Sequence, residues 1–167
     1  MDAALKAKWV DINSRLETLD VFKQLQAADD PEIGRPLAQL CELFVDGAPD
    51  QRREVLALIN QLPAVRMALF ETVPDRSTPG PRWVELRVAA LLLHQDSFDD
   101  REVIMAMGSV YLRGMELDVD PGPVFKRITQ LARDAGMARV ANWGDFESWA
   151  YFAESIAPRL KGGRNGK

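Results

Sequence analysis

Apolar residues recur at steps of three and four along most of this chain. Leu5, Trp9, Ile12, Leu16, Leu19, Phe22 and Leu25 follow that rhythm. Their spacing predicts the buried stripe of one amphipathic helix, or of two joined near Asp20. Asp30-Pro31-Glu32 marks a helix start, with aspartate as the cap and proline at the first helical position. The helix that follows presents Ile33, Leu37, Leu40, Cys41 and Phe44 on one side and stops at Gly47. Asp50 is expected to cap a helix carrying Val55, Leu58, Ile59 and Leu62, and Pro63 opens a short segment with Val65, Met67, Leu69 and Phe70.

Three prolines and a glycine between Pro74 and Pro81 forbid a helix there. Helical pattern resumes at Trp83 and runs to about His94. Ser97 or Asp99 starts the next helix, with Val103, Met107, Val110 and Tyr111 inward and an end near Gly114. Asp120-Pro121 is a second start of the Asp-Pro kind, leading to Val124, Phe125, Ile128, Leu131 and Ala132 before Gly136. A last helix from about Asp145 holds Phe146, Trp149, Phe152, Ala153 and Ile156. No alternating β-branched run bounded by hairpin signals occurs. The pattern therefore predicts an all-α domain over residues 1–158, of roughly seven or eight helices, followed by a tail at 159–167.

One internal echo bears on architecture. Leu43-Phe44-Val45 with Arg53-Glu54-Val55-Leu56 aligns without gaps on Leu91-Leu92-Leu93 with Arg101-Glu102-Val103-Ile104. The offset of about 48 residues resembles the spacing of HEAT or armadillo units. Two copies are fewer than a stable solenoid needs. The expectation is an irregular orthogonal bundle or a short HEAT-like stack of helical hairpins. The competing explanation is that Arg-Glu-Val merely opens two helices after acidic caps.

Charge divides the chain. Its net −4 includes Arg159, Lys161, Arg164 and Lys167 in the last nine residues, which contain no acid. Without those four the body stands near −8, and such a body repels phosphate backbones. Nucleic-acid contact is expected, if anywhere, only from the tail. No leader-like or bilayer-length apolar run occurs, the longest being Val88 to Leu93. A cytoplasmic protein is expected, and the Arg-, Ala-, Gly- and Pro-rich usage suits a bacterial source.

The candidate chemistry is sparse. One cysteine, Cys41, and one histidine, His94, allow neither an intrachain disulfide nor a closed Cys/His zinc site. Cys41 falls in an apolar stripe and reads as core. His94 lies near Asp96, Ser97, Asp99 and Asp100, but Ser97 and Asp99 read as caps and no nucleophile elbow exists. The twelfth residue from Asp118 is Thr129, where a calcium loop of the EF-hand kind needs glutamate. No glycine-rich phosphate loop is present, and no metal or other cofactor is implied. Asp50 with Arg53, and Asp100 with Arg101, are expected ion pairs at helix starts.

Candidate contacts follow from placement. Trp83 and Arg87 share a face of a helix whose apolar run suggests a central position. There Arg87 must be paired, with Asp100 the expected partner, or lie in a groove. Trp143 and Tyr151 are the aromatics of the C-terminal region that the bundle face does not use. Trp83, Arg87, Asp100, Arg101, Trp143 and Tyr151 are thus the expected groove or partner contacts. The expected function is a non-enzymatic protein–protein interaction module: an adaptor, an accessory subunit or an inhibitor of the immunity type, its partner unknown. The alternative is a small helical enzyme or ligand-binding protein with a pocket formed by Arg87, His94, Asp96 and Asp100 around the Pro74–Pro81 loop.

Overall fold

In the computed structural model, the described residues are 1–94 and 100–137, with backbone alone described for 100–105. They form one all-α domain of eight helices: α1 (Ala3–Leu16), α2 (Val21–Gln26), α3 (Pro31–Asp46), α4 (Pro49–Asn60), α5 (Pro63–Leu69), α6 (Gly80–His94), α7 (Asp100–Glu116) and α8 (Pro121–Asp134). A 3-10 turn, Ala27–Asp29, links α2 to α3.

Capping explains most boundaries. The carboxylates of Asp2, Asp20, Asp30 and Asp120 each accept a backbone N–H from the first turn of the helix they precede, satisfying one of its orphan donors. Asp20 thus separates α1 from α2, and the first stripe is two helices. Asp50 does not cap α4. Ala48 holds that position with Pro49 behind it, and Asp50 sits in the first turn, where it pairs with Arg53 at 2.6 Å. α6 begins at Gly80, three residues before Trp83, because Pro81 fits the first turn of a helix. α7 continues past Gly114 to Glu116. It is closed by Asp118 at φ 56°, with the Val119 N–H donating to the Gly114 carbonyl at 2.8 Å. Gly136, at φ 90°, ends α8.

α6 is the central element. It packs against α3, α5, α7 and α8, and Val84, Leu86 and every residue from Val88 to His94 are buried, as expected of its apolar run from Val88 to Leu93. α1 lies on α3 and α5, and α4 on the same two helices. The helix pairs that carry the sequence echo, α3–α4 and α6–α7, each pack together, and α3 packs on α6.

Three hydrogen bonds fix how α1 sits on α3 and α5. Trp9, wholly buried, donates its indole N–H to the Pro36 carbonyl at 2.9 Å. Pro36 stands inside α3, so the Glu32 carbonyl lacks its usual N–H donor in that helix. Asn13, also buried, accepts from the Ala64 and Val65 N–H groups at 3.0 and 3.2 Å. It therefore caps α5 from α1, where Leu62 offers no side-chain cap. Cys41 lies in this core as expected, and burial pushes its thiol up to about 12 against the opposing pull of Arg87.

Leu19 and Phe22 depart from the apolar stripe they belong to. Both are exposed, Phe22 to 68%. The break at Asp20 resets the helical phase, so α2 need not continue the buried face of α1.

Candidate functional site

A cleft of about 590 Å³ lies beside α3. Its floor includes Gly34, Ala38 and Leu86; its rim carries Lys8, Arg35, Gln39 and Glu42 on one side and Val73–Arg76 with Thr78 on the other. Each wall has an identifiable cause. The Trp9–Pro36 hydrogen bond draws α1 against α3 and sets Lys8 at the rim. At Gly34 a Cβ would stand 2.4 Å from the Ala28 carbonyl oxygen, so only glycine lets the 3-10 turn rest on α3 and close that end with Asp29.

The opposite wall is the proline-rich segment between α5 and α6. Its root is anchored twice. The Thr72 hydroxyl donates to the Ala68 carbonyl, and Arg87 donates to the Thr72 carbonyl, both at 2.9 Å. The Thr78 N–H closes a turn on the Asp75 carbonyl at 3.0 Å. Pro74 is buried while Asp75 and Arg76 stand exposed.

The cleft contains three cations, Lys8, Arg35 and Arg76, and three carboxylates, Asp29, Glu42 and Asp75. No ion pair within 4.0 Å joins any of the six to a described residue. The C-terminal end of α3 differs. There Asp46 meets Arg82 of α6, Arg82 meets Glu85 at 3.1 Å, and Glu85 meets Arg127 of α8 at 2.9 Å. The Arg82 hydrogen bond holds the Asp46 carboxyl below its usual range, and the same pairing raises Arg82.

The expected contact residues are dispersed. Trp83 is half-buried against the core. Burial pulls the Arg87 guanidinium down to about 10, opposed by the charge of Glu71. The partner found for Arg87 is the Thr72 carbonyl; the side chain of Asp100, the expected partner, lies outside the described residues, as does that of Arg101. Both positions stand in the first turn of α7. Trp143, Tyr151 and Asp96 lie wholly outside. His94, fully buried, pairs its Nδ1 with the Arg66 carbonyl at 2.9 Å and tilts its ring against Phe70 at 4.8 Å. Neither Arg87 nor His94 is among the described residues lining the cleft.

A second surface feature is an apolar corner at the start of α2, where Leu19, Val21 and Phe22 are exposed, Val21 to 53%. Among the described residues no group of three His, Cys, Asp or Glu side chains is placed to hold a metal ion, and no helix is long and apolar enough to cross a membrane. The cleft residues escaped the sequence reading because Arg35, Gln39 and Glu42 form the polar stripe of an amphipathic helix, which resembles any solvated face. Comparison of the chain with protein-family models, curated proteins and solved structures finds no match.

Proposed function

We propose that this protein is a non-enzymatic interaction module of the cytoplasm, an adaptor, accessory subunit or immunity-type inhibitor, that engages another protein through the start of α2. One observation supports the reading above all: Leu19, Val21 and Phe22, on either side of the cap Asp20, put apolar side chains into solvent at a helix start. An exposed phenylalanine forgoes about 2 kcal/mol available from burial. Aromatic anchors of this kind are the residues that dominate binding energy when a partner encloses them. Exposed apolar residues with charged residues close by in sequence, here Asp20 and Lys23, occur at contact surfaces on proteins that bind others.

Photo-crosslinking from position 22 tests this. With p-benzoylphenylalanine in place of Phe22, a discrete adduct with one other protein is expected in lysate of the source cells. Unlabelled wild-type chain should compete it away, whereas the Phe22→Asp chain should not. An adduct formed only within the chain itself, or one indifferent to both competitors, overturns the reading.

A further inference from the structure

We infer that α2 is a strap that lifts from α5 as a unit while the rest of the domain stays folded. This motion does not depend on the corner at Phe22 binding a partner. Burial sets the element apart. From Glu17 to Glu32, sixteen consecutive residues include none that is buried, the longest such stretch among the described residues. Neither α2 nor the 3-10 turn contributes a buried side chain. Core bounds the stretch on both sides, since Leu16 and Ile33 are buried. The helices it connects meet without its help: α1 is held to α3 by the Trp9–Pro36 hydrogen bond and to α5 by Asn13. Lifting α2 breaks none of these contacts. Segments with few buried apolar contacts open at the low end of a protein's range of opening free energies.

A polar latch and packing on α5 hold the strap down. The Gln24 side-chain amide donates to the Leu16 and Leu19 carbonyls at 3.1 and 3.0 Å, at the end of α1 where carbonyls lack helical donors. No ion pair within 4.0 Å joins any residue from Glu17 to Glu32 to a described residue. Asp20 bonds to the Lys23 and Gln24 N–H groups of α2 itself, both at 2.9 Å, so this cap travels with the strap. Val21 and Phe22 face solvent and add little to docking. The far end is fixed: Ala27 and Ala28 pack against the core, and the Ala28 carbonyl lies against Gly34. Once lifted, six residues do not sustain a helix in water, so Val21 and Phe22 pass from a helical display to open chain. The corner thus has two settings, and the Gln24 latch biases the choice between them.

Hydrogen exchange of the full-length protein, read amide by amide by NMR, tests the proposal. The four amides from Lys23 to Gln26 should share one opening, protected relative to free chain yet exchanging roughly a hundredfold faster than the slowest amides of α6. Gln24→Ala removes the latch and should speed all four by the same factor, about fivefold. Ile128→Val, a small change at a fully buried position of α8, should speed the slowest α6 amides by about fivefold. It should leave α2 unchanged, because that contact is lost only when the whole domain unfolds. Equal speeding of α2 by Ile128→Val would mean that α2 opens only in global unfolding, and overturns the proposal. Exchange of α2 at the free-chain rate overturns it too. So does a response to Gln24→Ala that fades along the helix, the mark of fraying rather than lifting. None of these outcomes bears on the crosslink expected at position 22.

Discussion

The two sides of α3 use polar groups in opposite ways. Toward the core and at its C-terminal end the helix gives them to neighbours: the Pro36 carbonyl to Trp9, the Phe44 carbonyl to Arg52 at 3.0 Å, and the Asp46 carboxylate to Arg82. On the outer side Arg35 and Glu42 end in the cleft without an ion-pair partner among the described residues. Groups of the first kind are satisfied only when other helices are in place, so their contribution is tied to folding. Groups of the second kind are hydrated in both the folded and unfolded chain, and contribute little to stability. They remain free to bind something else.

Substitutions sharpen this contrast. The largest effect is expected from Trp9→Ala, which removes a fully buried indole and its hydrogen bond to Pro36. A loss of about 3–5 kcal/mol is expected, read as a lowered midpoint in urea. Arg82→Ala breaks the links of α6 to Asp46 and to Glu85 together. Because the Asp46 side chain is 55% exposed, solvent screening holds the cost to about 1 kcal/mol. That contribution also carries a pH signature. The Asp46 carboxyl is held down in the folded state by Arg82, so its stabilisation is complete above the unfolded value, near 3.8, and is lost as pH falls through the folded one. The gap in melting temperature between wild type and Asp46→Asn should therefore stay constant from neutral pH to about 5 and narrow below about 4. Smallest of all, Arg35→Ala and Arg76→Ala should each change stability by less than about 0.5 kcal/mol. A loss of 2 kcal/mol from either would place the cleft charges on the folding side of the comparison.

How far the sequence reached depended on distance along the chain. Helix starts at Asp30 and Asp120 were legible because an N-cap acts on amides two or three residues away, whereas near Asp20 the sequence left one helix or two open. The central place of α6 was legible as well, since the unbroken apolar run in its second half turns every side of the helix there toward neighbours. Partners set by tertiary approach were not. Arg87 was recognised as a cation needing a partner, but its acceptor is the carbonyl of Thr72, and a carbonyl has no signature in the sequence. The cleft was invisible because it depends on Gly34 admitting the Ala28 carbonyl and on where the proline-rich wall lies. Phe22 was assigned inward because a periodicity count continues through a boundary that the backbone does not.

Asn13 bears on the order in which the chain assembles. α5 has seven residues, fewer than the roughly 12–15 that sustain a helix alone in water. Its opening amides are satisfied by a side chain 51 and 52 positions earlier. α5 is thus a poor nucleus and becomes persistent only once α1 has docked, so a non-local loop has to close before this short helix is secure. During synthesis α1 emerges well ahead of the segment it completes, and the middle of the protein inherits its permanence from the beginning.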